Sequence, residues 1–149
     1  MSGRSYFNEI LVSASPDLVY KAITEGIDKW WTQLSNKALH VGDRLTVRFE
    51  NKTKWVMAVS EAIPNRSLVW VVMAAHHDLE SLEKKDEWQE TTIKWEIIEM
   101  EIGTKVILTH QGLVPQLQCF KICHVGWNYF LDSLKNYLET GTGHPYEAP

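Results

Sequence analysis

Apolar positions along the chain follow two different periods. From residue 5 to residue 110 they mostly alternate with polar ones, and after residue 115 they recur at steps of three and four. Alternation turns one face of a strand inward, and the three-four step turns one stripe of a helix inward. Residues 5–13 predict a first strand. Residues 44–50 alternate most cleanly, with Leu45, Val47 and Phe49 on one face and Arg44, Thr46, Arg48 and Glu50 on the other. Residues 53–62 gather Trp55, Met57 and Val59, residues 88–98 gather Ile93, Trp95 and Ile97, and residues 104–110 form a last strand. The run 67–75 is nearly all apolar, which predicts a strand buried on both faces. By parity, Trp88 falls on the polar face of its strand unless a bulge shifts it. The stripe Phe120, Cys123, Trp127, Leu131, Leu134 and Leu138 predicts one amphipathic helix of about 25 residues, stopped by Gly141 at its C-terminal cap.

Between these elements lie the punctuating residues. Ser15-Pro16-Asp17 carries a capping hydroxyl, a proline suited to a first helical turn and an acid at the positive dipole end, so a short helix starts there. Gly26 ends it, and Ile27, Trp30, Trp31 and Leu34 predict a second short helix. Gly42-Asp43, Asn51-Lys52, Pro64-Asn65 and Ile102-Gly103 mark turns. The charged stretch from His76 to Glu87 predicts a solvated loop, with a helical turn around Leu79 and Leu82, in a place where a loop can act as a lid. Residues 142–149 predict a flexible tail. The sum is an α+β domain spanning residues 1–149. A curved antiparallel sheet wraps around a long C-terminal helix, and two short helices follow the first strand.

Composition narrows the function. The chain has 149 residues, 44% hydrophobic and 23% charged, which is globular rather than disordered. Its net charge is −4 and no basic run is present, so nucleic acid is not an expected partner. No apolar stretch is long enough for membrane insertion. The N-terminus shows no secretory signal pattern, and the two cysteines, Cys119 and Cys123, make no disulfide framework. A cytoplasmic protein with reduced thiols is the expectation. The unusual number is seven Trp.

Several short motifs stand in a familiar order: Ser15-Pro16-Asp17-x-Val19-Tyr20-x-Ala22-Ile23-Thr24, Trp30-Trp31, Val41-Gly42-Asp43 and Pro64-Asn65-Arg66-x-Leu68-Val69-Trp70. The run Gly103-Thr104-Lys105-Val106 to Thr109-His110-x-Gly112-Leu113 follows, and then Gly126-Trp127 with Leu131, Leu134 and Leu138. In these the chain resembles the START-like superfamily (SRPBCC, Bet-v-like), in particular its heat-shock-protein-90 ATPase activator homologue family. The resemblance covers nearly the whole chain. It implies a helix-grip fold with a hydrophobic cavity between sheet and helix, in which relatives carry lipids, sterols, hormones or polyketides, and a few cyclise or hydrolyse them. The activator that names the family also has a separate chaperone-binding domain, for which this sequence leaves no room.

The expected function is therefore non-enzymatic binding of a small hydrophobic molecule in a closed cavity of several hundred Å3. The expected walls are Trp31, Trp55, Trp70, Trp95 and Trp127, since an indole offers a broad apolar face and one donor. Met57, Cys123 and Leu131 share their inward faces, and His110 and His124 are candidates to orient a polar group. A rival is a cyclase, aromatase or hydrolase using one of those histidines as acid or base. A second rival is a stress-response or chaperone-accessory interaction module. Homodimerisation is left open. No catalytic residue is assigned and no cofactor is expected, because neither a nucleophile elbow nor a phosphate-binding glycine loop occurs. Cys119, Cys123 and His124 do not converge as a metal set, because His124 points about 100° from Cys123 around the helix.

Overall fold

A computed structural model describes residues 4–148; residues 1–3 and 149, the extreme ends of the expected domain and tail, lie outside the described residues. The order is β1 (Tyr6–Val12), α1 (Pro16–Thr24), α2 (Ile27–Trp30), β2 (Arg44–Arg48), β3 (Lys54–Ile63), β4 (Ser67–His76), β5 (Thr92–Glu99), β6 (Thr104–Gln111) and α3 (Phe120–Thr140). The five pairings between these strands are all antiparallel. The sheet runs β1-β6-β5-β4-β3-β2, so β2 to β6 form a meander and β1 returns to lie beside β6. This is the α+β helix-grip arrangement the sequence predicts.

The sheet curves because β3 and β4 each carry an extra residue. Their register shifts between Val56 and Met57 and again between Val59 and Glu61. Such bulges increase local twist and bend the strand. The concave face holds Leu45, Val47, Met57, Leu68, Trp70, Ile93, Trp95 and Leu108, all at most 1% exposed. The outer face is open, which corrects the reading of β4. Val69 and Val71 are only half-buried and Met73 is exposed, because among the described residues no second layer covers that side.

Three of the turns between strands place a residue in left-handed conformation, Asn51, Asn65 and Gly103 at φ 60, 66 and 80°. Asn tolerates this region through local hydrogen bonding. At Gly103 a side chain would also run into the Val12 carbonyl.

The aromatic layer fills most of the space under the sheet. Trp30, Trp70 and Trp95 are fully buried. Trp70 and Trp95 meet edge to face at 5.7 Å, Trp30 and Trp95 at 5.8 Å. Trp30 donates its indole N–H to the Ala22 carbonyl at 2.9 Å, locking α1 to α2. Among the described residues, those of Trp70 and Trp95 have no hydrogen-bond partner; their edge-to-face packing leaves aromatic rings as neighbours.

Two further expectations change. The second short helix ends at Trp30, so Trp31 and Leu34 lie beyond it. The tail is held rather than free. Gln33 N–H donates to Tyr146 O and Tyr146 N–H to Trp31 O, each at 2.9 Å, and His144 N–H donates to Ser133 Oγ at 2.6 Å. Tyr146 also packs on Phe49, which supplies the apolar contact that polar flanks concealed.

Candidate functional site

One cleft opens at the end of the sheet where three elements meet. The β2–β3 hairpin supplies Phe49, Thr53 and Trp55. The loop after β4 supplies His77, Leu79 and Trp88. The N-terminal half of α3 supplies Ile122, Cys123, Gly126, Trp127 and Phe130, with Trp31 on the wall and Glu50 beside the hairpin turn. The space within it is about 160 Å3 and opens to solvent, in place of the closed cavity of several hundred Å3 expected from sequence.

The walls are built of rings packed on rings. Trp88 lies between Trp55, stacked at 4.4 Å, and Trp127, stacked at 5.9 Å. Trp127 meets Trp31 at 5.0 Å, and Phe49 meets Trp55 at 5.3 Å. Rings that brace each other lose little entropy when a ligand arrives, so the cleft is preformed.

Trp88 reaches this position because β5 starts at Thr92, not at residue 88. Residues 86–89 turn, Gln89 N–H donating to Asp86 O at 2.9 Å, and Glu90 takes φ 71°. The turn swings the indole off the strand and into the wall, where it is 5% exposed.

The loop between β4 and β5 is tied down at several points. Lys85 Nζ donates to the carbonyls of Leu79 and Leu82 at 2.6 and 2.7 Å. Gln118 Oε1 accepts from the backbone of Glu83 and Lys84, and Glu87 accepts from the backbone of Gln118 and Cys119 at 3.1 and 3.0 Å. Asp78 N–H donates to Thr53 Oγ1 at 2.9 Å, joining the loop to the hairpin. The expected solvated loop is thus half correct: Glu80, Glu83, Lys84 and Asp86 are exposed, while Lys85 and Glu87 bond backbone groups and Leu82 is buried. Replacing Glu87 with Ala removes two acceptors at the start of α3. The expected cost is about 1–2 kcal/mol in urea unfolding, with faster hydrogen exchange across residues 77–91.

The predicted site residues divide. Trp31, Trp55, Cys123 and Trp127 line the cleft. Met57, Trp70, Trp95 and Leu131 do not: they lie deeper, at most 1% exposed, and form the floor that the cleft rests on. Which indoles are deep is decided by the sheet's curvature, and periodicity carries no record of it.

His110 is fully buried behind the wall, with both ring nitrogens occupied. Trp127 Nε1–H donates to its Nδ1 at 3.0 Å. Thr91 spends its hydroxyl proton on the Trp88 carbonyl, so the 2.8 Å contact between Thr91 Oγ1 and His110 Nε2 requires the proton on Nε2. Burial pushes the His110 pKa down to about 3. This imidazole is a neutral pin joining β6, the Trp88 turn and α3. His124 is exposed, packs edge-on against Tyr6 at 5.5 Å and contacts the Asn128 amide at 3.3 Å. It lies outside the cleft because α3 is gripped along one stripe only. Neither of these two histidines lines the cleft.

Sequence reasoning missed His77, Phe49, Trp88, Gly126 and Phe130. Gly126 had a readable signal: glycine in the middle of a long helix costs about 1 kcal/mol relative to alanine. A Cβ added there meets no heavy atom within 4 Å, because the residue faces open space at the cleft.

Cys123 accepts a hydrogen bond from Trp88 Nε1 at 3.2 Å and lies 4.0 Å from His77 Nδ1. Cys119 stands one turn earlier: the Cys123 and His77 side chains hold the Cys119 thiol below its usual range, while the Cys119 thiol and burial push Cys123 up. Among the described residues, no group of three His, Cys, Asp or Glu side chains comes together as a metal site.

Residues 13–139 match the family model described as Activator of Hsp90 ATPase homolog 1-like protein. The solution structure of the Aha1 dimer from Colwellia psychrerythraea is similar at 32% identity, with TM-score 0.76, covering 92% of this chain and 97% of that one. Protein MLL2253 from Mesorhizobium loti is similar at 20% identity, with TM-score 0.76, over 91% and 96% of the two chains. CalU16 from Micromonospora echinospora is similar at 22% identity, with TM-score 0.64, over 91% and 74%. The last two show the fold alone. No curated protein matches the chain in sequence. Among the described residues no helix is long and apolar enough to cross a membrane.

Proposed function

The chain belongs to the Activator of Hsp90 ATPase homolog 1-like family, and on that footing we propose that it binds a small apolar molecule in the cleft between the β2–β3 hairpin, the β4–β5 loop and α3. The observation that carries this reading is the cleft wall: four indoles and two phenyl rings around about 160 Å3. The common role of the superfamily fold, carriage of hydrophobic ligands, agrees with it.

The size sets the ligand class. An apolar cavity of roughly 150 Å3 holds one benzene-sized molecule. Sterols and diacyl lipids need the several hundred Å3 expected from sequence, and here Trp30, Trp70 and Trp95 occupy that space. The ligand is accordingly a single-ring compound or a short acyl segment. Glu50, Thr53 and His77 are the polar groups placed to meet its polar end.

Gly126 tests this. Gly126→Ala is expected to stabilise the protein by about 1 kcal/mol, because the helix gains and nothing clashes. Gly126→Leu is expected to fold equally well and to abolish binding of toluene, followed by tryptophan fluorescence. Undiminished binding by a folded Gly126→Leu variant refutes the assignment of the site.

Self-association is a second reading, favoured by one surface. β1 is a sheet edge, and its outer face shows Phe7 at 58% and Leu11 at 54% exposed. The Colwellia relative is a dimer. Sedimentation equilibrium is expected to show a dimer that Leu11→Lys dissociates. A monomer throughout the micromolar range removes this reading.

A further inference from the structure

The cleft contains a nucleophile that simple binding does not use. Cys123 forms part of its wall, so its sulfur borders the space a ligand occupies. Three groups surround that sulfur. Trp88 Nε1–H points at it from 3.2 Å, His77 Nδ1 stands 4.0 Å away, and the Cys119 thiol lies one helical turn back. The neighbouring Cys119 thiol and burial push the Cys123 pKa up, so its reaction depends on the two other neighbours: the N–H donor stabilises the thiolate as it forms, and the imidazole nitrogen accepts the thiol proton. Cys119 is the N-cap residue and Cys123 the fourth residue of the 21-residue helix α3, whose positive dipole end favours negative charge. Glu87, bonded to the Cys119 amide, is the opposing charge.

We infer that Cys123 is a covalent capture site for apolar electrophiles of the α,β-unsaturated carbonyl class. The inference rests on the binding reading above, since the cleft must first hold the ring or chain. His77 Nδ1 takes the thiol proton. The Cys123 sulfur bonds to the β-carbon as the carbon–carbon π bond breaks, and its electron pair moves onto the carbonyl as an enolate. The proton then goes to the α-carbon. Thiol and enone become one thioether, with no oxidant or reductant. Cys119 keeps its thiol because it does not line the cleft.

The probe is 2-cyclohexenone, a single-ring enone of a size suited to the cleft, with cyclohexanone as its unreactive counterpart. Full-length protein is incubated with each at neutral pH. Adducts are followed by intact mass and located by peptide mapping, and ring binding is followed by tryptophan fluorescence. The expected result is one adduct on Cys123, formed at least about tenfold faster than on the urea-unfolded chain. Cys123→Ser loses it, Cys119→Ser retains it, and His77→Gln slows it by about tenfold or more, with circular dichroism confirming that each variant is folded.

Native reaction no faster than in urea overturns the inference, as does an adduct on Cys119 or an unchanged rate in His77→Gln. If cyclohexanone perturbs the tryptophan emission but cyclohexenone leaves Cys123 unmodified, only the covalent step fails. If neither ring binds, the binding reading fails with it.

Discussion

Acidification is expected to destabilise the protein by about 1.4 kcal/mol for each pH unit below about 6.5, through His110 alone. The imidazole is fully buried and its pKa lies at about 3 in the folded chain. In the unfolded chain it titrates near its ordinary value. Between those values the unfolded state binds a proton that the native state refuses, so stability is complete above about pH 6.5 and drains away as pH falls toward 3. At pH 4.5 the loss reaches about 2–3 kcal/mol. The cause is geometric as well as dielectric. Protonating Nδ1 would set an N–H against the Trp127 N–H that already donates there. Urea unfolding at pH 7, 6, 5 and 4.5 measures the slope. His110→Asn keeps an acceptor for Trp127 but cannot titrate, so its curve is expected to be flatter by that amount. Parallel curves for the two proteins contradict the assignment of a neutral, pinned histidine.

Trp127→Ala is expected to cost at least about 3 kcal/mol, the largest effect of any single substitution in the wall. Truncating a buried large aromatic typically costs 3–5 kcal/mol. Here the loss has a second part, because His110 Nδ1 is left as a buried acceptor without a donor, worth about 1–3 kcal/mol where nothing replaces it. Trp127 also touches Trp31, Trp88 and Trp95, so its removal takes support from the cleft and from the core beneath it. Trp127→Phe retains most of the contact area but not the N–H, and about 1–2 kcal/mol is expected. Chemical denaturation at pH 7 gives both values. A loss below 1 kcal/mol for Trp127→Ala means the indole is not the joint that this geometry makes it.

The elements were legible in the sequence because their signals are local. Leu45 and Val47 alternate with the polar Arg44, Thr46 and Arg48 whatever else the chain does, and Gly141 ends α3 by its own backbone preference, at φ 87°. The motif order led to the right family for the same reason. The cleft was only partly legible, since it depends on where distant segments meet. Parity sent Trp88 to a polar face, and a turn at residues 86–90 sent it to the wall instead. Trp55 and Trp70 look alike in sequence, but the bulges in β3 and β4 and the fold of the β4–β5 loop leave one at the cleft and bury the other. His124 follows Cys123 by one residue, and the 100° turn of the helix was enough to place it outside. His77 gave no signal in a charged loop, because its role depends on Asp78 and Thr53 joining that loop to the hairpin.

A small apolar molecule that enters this cleft and no other part of the aromatic layer is reported directly by the seven indole N–H groups in a two-dimensional 15N–1H NMR titration with toluene. The predicted result is saturable shifts for Trp31, Trp55, Trp88 and Trp127, which line the cleft, with Trp30, Trp70 and Trp95 little changed. Gly126→Leu should abolish those shifts. No response at the four cleft indoles, or shifts centred on Trp70 and Trp95, contradicts the claim.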